Sequence, residues 1–298
     1  MIHLVRPVGV DDPERPSGGN VYDRRIASAL GAVEHTSVAT VPSGELALVD
    51  GLLASPALVP ESARVRFVVL VHTPRWTWWE GPVLEAAAGV VTTSRWTRDR
   101  LVERYGLGRV FVAEPGVDPA PVAPGSPSGG ALLSVGAVTP LKGYDVLAAA
   151  LRRIVGLEWS CRGVGSTAIE PEFAAALPPT VRLTGALTRA ELDATYAEAD
   201  LLVLASRAET YGMVVTEALA RGVPVVASDV GGVREALGDG GVLVPPGDAD
   251  ALADALRTWL TSAAHRESLR AAARARRAEL TGWDRTADLV RAALEAVG

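Results

Sequence analysis

Short continuous apolar runs alternate with amphipathic helical patterns along the whole 298-residue chain, as expected for α/β units around mostly parallel sheets. The run IHLVRP (2–7) opens as a strand, and the apolar spacing that follows predicts a helix over 19–30. A weaker stretch comes next, with strand candidates at 36–41 and 46–49. The run RVRFVVLVH (64–72) is apolar almost without alternation, as a strand covered on both faces must be. The pattern then predicts a helix near 81–88, a strand at 89–93, a helix over 95–105 and a strand at 109–113.

The alternation stops at PAPVAPGSPSGG (119–130). That composition offers too little apolar surface to order itself and reads as a linker. Beyond it, strands are predicted at 131–135, 158–161, 181–184, 201–204, 223–227 and 241–244, with helices over 144–155, 189–198, 213–221 and 249–261. From His265 the tail is helical, with a break near Gly282. The expected architecture is two doubly wound, Rossmann-like domains facing a cleft, at 1–122 and 123–282. Ligands in such sheets bind beyond the carboxyl ends of the strands.

Composition narrows the classes without changing that picture. Hydrophobic residues make up 48% and charged residues 21%, ordinary for a globular protein with a sizeable core. A formal net charge of −6 argues against a nucleic-acid partner. Cys161 is the single cysteine, which excludes an intrachain disulfide and suits a reducing compartment. The N-terminus has neither the apolar run nor the charge order of a signal peptide, and no apolar run reaches membrane-spanning length. A soluble, cytoplasmic protein is expected.

Three charged residues fall where the topology predicts a ligand. Lys142 follows the first strand of the second domain at a helix start, where a lysine can neutralise a phosphate held by backbone amides; a solvated lysine is the plain alternative. In AETYGMVVTEALA (208–220), Glu209 lies just past the apolar run ending at Ser206, on the predicted ligand edge, and could equally be an exposed loop carboxylate. Glu217 lies one helical turn in, four residues before Arg221, which is ordinary salt-bridge spacing. Gly212 between them permits close approach of a ligand. Carboxylates accept paired hydrogen bonds from vicinal hydroxyls, so two of them beside a phosphate-binding lysine suggest a sugar nucleotide.

Residues 135–145, 180–185 and above all ADLLVLASRAETYGMVVTEALARGVPVVASDVGGVREAL (199–237) closely resemble glycosyltransferase family 4, retaining enzymes of the GT-B fold that use nucleotide-sugar donors. The resemblance continues more weakly through PSGGNVYDRRIASAL, LVHTP, AAGVVTTSRWTRDRLVERYG and VAEPGVD. It implies that Glu209 contacts the donor sugar, Glu217 the ribose, and Lys142 with the amides of Gly212, Met213 and Val214 the diphosphate. It implies further that Gly18 and Gly19 close over the diphosphate, that His72 lies against the transferring sugar, and that the final helix, 283–298, packs back on the first domain. A nucleotide sugar and an unidentified acceptor are the implied substrates, with no metal and no further cofactor.

The chain departs from the family pattern twice. Ala137 stands where members commonly carry an arginine on the diphosphate, which leaves Arg207 or Arg95 as substitutes, and residues 30–90 leave room for fewer elements than usual. Both departures motivate an alternative, a non-catalytic GT-B protein that binds a nucleotide or a partner. The loop HTPRWTWWEGP (72–82) brings Trp76, Trp78 and Trp79 together; packing or a homodimer contact is preferred over a sugar-stacking platform. GDAD (247–250) spells a metal-binding pattern but suits an N-cap at Asp248. GVGSTA (163–168) fits a dinucleotide fingerprint in the wrong place, and is the only support for an oxidoreductase. The basic run Arg95, Arg98, Arg100 and Arg104 is interleaved with acids, so a solvated face is preferred over a peripheral membrane contact.

Overall fold

A computed structural model describes residues 2–9 and 17–298; Pro16 of the PSGG motif lies outside them. The described chain divides into two compact units, one running to Gly116 and including Thr281–Gly298, the other Val117–Leu280.

The first unit is built on a parallel sheet of β1 (His3–Val5), β2 (Val33–His35), β3 (Leu46–Asp50), β4 (Arg66–Val71), β5 (Gly89–Thr92) and β6 (Val110–Val112), in the order β2-β1-β3-β4-β5-β6. Helices α1 (Gly18–Leu30), α2 (Glu80–Ala86) and α3 (Arg95–Tyr105) make three of the crossovers. The other two use 3₁₀ turns alone, Val38–Thr40 before β3 and Pro56–Leu58 with Pro60–Ala63 before β4. The shortness expected between residues 30 and 90 therefore lies in the connections, and the six-stranded sheet is intact. The strand candidate at 36–41 is the first of these turns. Ser37 Oγ accepts from the Ala39 amide at 3.2 Å, which caps the turn and draws the backbone out of extended form. Leu48, Val49, Val68, Val69, Leu70, Val90 and Val91 are buried, covered from both faces of the sheet.

The second unit has β7 (Ala131–Val135), β8 (Ser160–Val164), β9 (Arg182–Leu183), β10 (Leu201–Leu204), β11 (Val225–Ser228) and β12 (Gly241–Val244), parallel in the order β12-β11-β10-β7-β8-β9. Its helices are α4 (Tyr144–Arg152), α5 (Pro171–Ala176), α6 (Arg189–Ala197), α7 (Met213–Leu219), α8 (Val233–Leu237), α9 (Ala249–Thr261) and α10 (Ala263–Arg277). From β7 the chain winds outward through β8 and β9, then returns to start again at β10 on the other side. The loops after β7 and β10 thus diverge at a topological switch point. In the first unit the corresponding reversal lies between β1 and β3.

Residues 119–130 are not a free linker but a strap laid on the second unit. Asp200, fully buried, accepts from Ser126 Oγ at 2.6 Å and from the Ala131 amide at 2.9 Å. Trp259 Nε1 donates to the Gly129 carbonyl at 2.7 Å, Arg270 to the Ser126 carbonyl at 2.7 Å, and the Ala123 amide to the Arg221 carbonyl at 2.8 Å. Order comes from hydrogen bonds supplied by the domain, where the strap's own apolar content could not provide it.

The last helix, α11 (Trp283–Glu295), belongs to the first unit. Its Ala287, Val290, Ala293 and Leu294 share a core with Leu4, Tyr22, Ile26 and Leu48. Gly116, where the chain leaves this unit, lies directly against Gly282, where it has just returned. A Cβ at position 116 would stand 2.5 Å from the Gly282 carbonyl carbon.

Candidate functional site

At the switch point of the second unit, Lys142 ends a 3₁₀ turn, Pro140–Lys142, in the loop after β7. Gly143 follows with φ +68°, and a Cβ there would fall 1.9 Å from the Ala205 carbonyl oxygen. Glycine thus seats the turn on the end of β10. Arg207 clamps it from the other side: its amide donates to the Leu141 carbonyl at 2.8 Å and its guanidinium takes Asp145 in a fork at 2.8 and 2.6 Å. That guanidinium holds the Asp145 carboxyl below the usual carboxylate range. Arg207 is therefore committed to Asp145, and the expectation that it replaces the cation missing at Ala137 does not match its contacts.

The clamp brings Lys142 Nζ to Glu209 Oε1 at 2.6 Å, and Ser206 Oγ donates to the same oxygen at 2.9 Å. Glu209 is mostly buried, with 12% of its side chain exposed. A Cβ at Gly231 would fall 1.5 Å from the Glu209 carbonyl oxygen, so the loop before α8 closes against the Glu209 backbone. Four residues after Glu209, α7 begins at Met213 with Gly212 at φ +94° as its N-cap, and no side chain caps it. Lysine, carboxylate and the uncapped helix start carrying Gly212, Met213 and Val214 all follow β7 or β10.

Glu217 stands on the same helix but in another network. Its Oε1 accepts from Arg189 at 3.2 Å and its Oε2 from the Tyr196 hydroxyl at 3.0 Å. Arg221, four residues on, donates to the Glu217 carbonyl oxygen and pairs its guanidinium with Asp193. The side-chain salt bridge suggested by i, i+4 spacing is thus made by Arg189 instead. Asp248 is the N-cap of α9, accepting from the Asp250 and Ala251 amides at 3.0 and 2.9 Å.

In the first unit, His72 lies just past β4, and its Nε2 is 2.8 Å from Asp23 Oδ1 on α1. Gly18 and Gly19 form the first turn of α1 behind the Ser17 N-cap. Gly19 lies against the histidine, since a Cβ there would meet His72 Cδ2 at 3.1 Å. Tyr22 stands edge-on to the same ring, with centroids 5.1 Å apart. Asp50, at the end of β3, completes the group. One oxygen from each carboxyl and a ring nitrogen of His72 all lie within 4.8 Å of one another. Burial and the neighbouring Asp23 push the Asp50 carboxyl up to about 7. Asp23, Asp50 and Tyr22 are residues that motif and spacing did not reveal; the available signal was an acid ending the otherwise apolar strand LALVD.

The tryptophan loop divides. Trp79 packs against the first unit's core, Trp76 adopts φ +55° beneath the Arg104 guanidinium, and Trp78 is 86% exposed. Buried Glu80 ties the loop down, accepting from the amides of Arg75 and Trp76 at 2.6 and 2.8 Å and from the Tyr105 hydroxyl at 2.9 Å.

Residues 129–262 match the family model described as Glycosyl transferases group 1. The matched stretch carries Lys142 and Glu209. The D-inositol 3-phosphate glycosyltransferase of Kineococcus radiotolerans is 34% identical over 249 residues, covering 70% of this chain and 57% of that protein. The chain spans about half the length of the curated relatives it matches. Among solved structures, a glycosyltransferase from Rickettsia africae aligns over 99% of this chain and 98% of its own, with TM-score 0.78 and 18% identity. Anabaena HepE in complex with UDP-glucose aligns over 99% of both chains, with the same TM-score and 18% identity. With its two six-stranded parallel sheets, the chain has the GT-B fold, and the residues matched by the family model lie within its second unit. Among the described residues, no helix is long and apolar enough to cross a membrane.

Proposed function

We propose that the protein is a retaining glycosyltransferase that moves a sugar from a nucleotide-diphosphate sugar to a hydroxyl-bearing acceptor, without a catalytic metal. The observation that carries this reading is the Lys142–Glu209 pair at the switch point of the unit that the family model matches, beside a helix start with no side-chain cap. As the glycosidic bond breaks, negative charge develops on the departing diphosphate. Lys142 and the amides of Gly212, Met213 and Val214 supply the positive end of that interaction, and fixed donors of this kind stabilise a charged transition state without reorganising. Because they meet the charge, the scheme needs no metal ion. Glu209 is assigned to the donor sugar's hydroxyls and Glu217 to the ribose; with one partner on each oxygen, Glu217 still has acceptor capacity. From the first unit, His72 is assigned to the transferring sugar and Gly18 and Gly19 to the diphosphate.

Support comes from the relatives' names and from neighbours solved with UDP-glucose. UDP-glucose is therefore the first donor to test, and an inositol phosphate the first acceptor. Incubation with a panel of nucleotide sugars is expected to give slow nucleotide release from one of them. Lys142→Ala and Glu209→Ala are expected to lower it at least about 100-fold, the scale of removing a transition-state donor. A second reading, nucleotide binding without transfer, is favoured by Ala137 together with the commitment of Arg207 to Asp145. Nucleotide binding without release from any donor, acceptors included, would decide for it.

A further inference from the structure

We infer that Asp50 is a protonated positioning residue: it donates to Asp23, and through Asp23 it holds the His72 ring with Nε2–H turned inward and Nδ1 offered to a ligand. The relay stands on geometry; its effect on turnover rests on the reading of His72 as a sugar-facing group.

Each carboxyl has one oxygen already engaged. Asp50 Oδ1 accepts from the Leu52 amide at 2.6 Å, and Asp23 Oδ1 accepts from His72 Nε2 at 2.8 Å. The other oxygens, Asp23 Oδ2 and Asp50 Oδ2, are buried and find no amide or hydroxyl donor. One oxygen of each carboxyl lies within 4.8 Å of the other. Both residues are buried, at 0% and 1% exposure, and two carboxylates so placed do not both ionise. One proton between them satisfies both orphaned oxygens. Asp23 already receives the imidazole N–H, so it is the acceptor, and Asp50 is the donor. These internal bonds use the atoms that a cation would need.

The ring is fixed from other directions too. Gly19 closes over its Cδ2 face, and Tyr22 stands edge-on at 72°. The titratable groups of this corner come from every element around it: Tyr22 and Asp23 from α1, Asp50 from the end of β3, and His72 from the end of β4. Arg75 reaches the Leu52 carbonyl at 3.3 Å, and α11 presents the uncharged Trp283, with the Arg25 guanidinium 5.9 Å from its ring centroid. The Tyr22 hydroxyl donates to the Ala113 carbonyl at 3.0 Å, and burial raises its pKa, so it stays neutral. Burial and the neighbouring Asp23 raise Asp50 to about 7, so its own charge changes near neutrality. Its value in the fold lies above the unfolded one, so the folded state binds this proton more tightly. Stability therefore falls as pH rises from 3.8 to about 7, and the loss is complete above that. In the folded protein the Asp50–Asp23 hydrogen bond is lost as pH rises through about 7.

The test uses the full chain, labelled with ¹⁵N, and long-range ¹H–¹⁵N spectra of the histidine rings between pH 5.5 and 8.5, with His72 identified by its loss in His72→Gln. The expected result is Nε2 protonated throughout, with a shift step near pH 7. Asp50→Asn supplies a non-titrating donor of the same shape. It is expected to abolish the step, keep kcat at pH 6 within about twofold, and flatten the alkaline fall in kcat. Asp50→Ala is expected to lower kcat about tenfold, the scale of one positioning hydrogen bond, with KM for the donor little changed. A wild-type ring protonated at Nδ1 alone, a step that persists in Asp50→Asn, or a stoichiometric metal ion whose chelation alters the His72 signals would each overturn the relay. Ring signals that behave as stated in a chain that transfers no sugar would uphold the relay and reject the glycosyltransferase reading.

Discussion

Gly143 decides whether Lys142 reaches Glu209. With φ +68° and the Ala205 carbonyl oxygen 1.9 Å from where a Cβ would lie, any side chain must lift the 140–143 turn off β10. Gly143→Ala is expected to destabilise the protein by about 2–3 kcal/mol, through left-handed strain and the clash together. Urea unfolding measures this, and the same variant should lose any thermal shift given by the donor. Lys142 and Glu209 were readable because each is a charge directly beyond an apolar strand. Asp23 was not, since beside Arg24 and Arg25 on an amphipathic pattern it looks like surface charge. Asp50, before Gly51, looks like a turn residue. Glu217 shows a different limit: the spacing to Arg221 was correct, but the partner came from α6, and a one-dimensional pattern carries no information about neighbouring elements.

Among the elements, the strap at 119–130 teaches most about reading composition. Its Pro, Gly and Ser content reads as a linker, because apolar area is what a sequence displays. What orders it is a set of donors and acceptors on α9, α10 and the turn before β10. Asp200→Ala would remove the acceptor of Ser126 and Ala131 and leave buried polar groups unpaired. A loss of about 3 kcal/mol is expected, seen as a lower denaturation midpoint, together with new proteolytic cleavage confined to the strap. Strands and long helices were otherwise placed well: 95–105, 131–135, 201–204, 241–244 and 249–261 coincide with α3, β7, β10, β12 and α9. Helices α5 and α8, of six and five residues, escaped because so short a segment displays too little of the helical period.

For the molecule as a whole, the alternation of strands and helices was enough to read two α/β units, and the resemblance supplied the return of the last helix. The six strands expected in the first unit are found except at 36–41, where a 3₁₀ turn stands and the strand, β2, lies at Val33–His35; crossovers made of 3₁₀ turns carry no amphipathic signature to mark them. Helix α11 is integral to that unit. Leu294→Ala, in the core shared with Leu4, Tyr22, Ile26 and Leu48, is expected to cost about 2–5 kcal/mol. Thermal unfolding should show the loss in the transition of the first unit. The contact between Gly116 and Gly282 bears on descent as well as on packing. A chain that leaves a unit and re-enters it at touching points makes its second unit an insertion with no gap to bridge. Residues 117–280 are thus a cassette: one splice, from 116 to 282, would close the first unit into a continuous polypeptide with its strand order and final helix undisturbed.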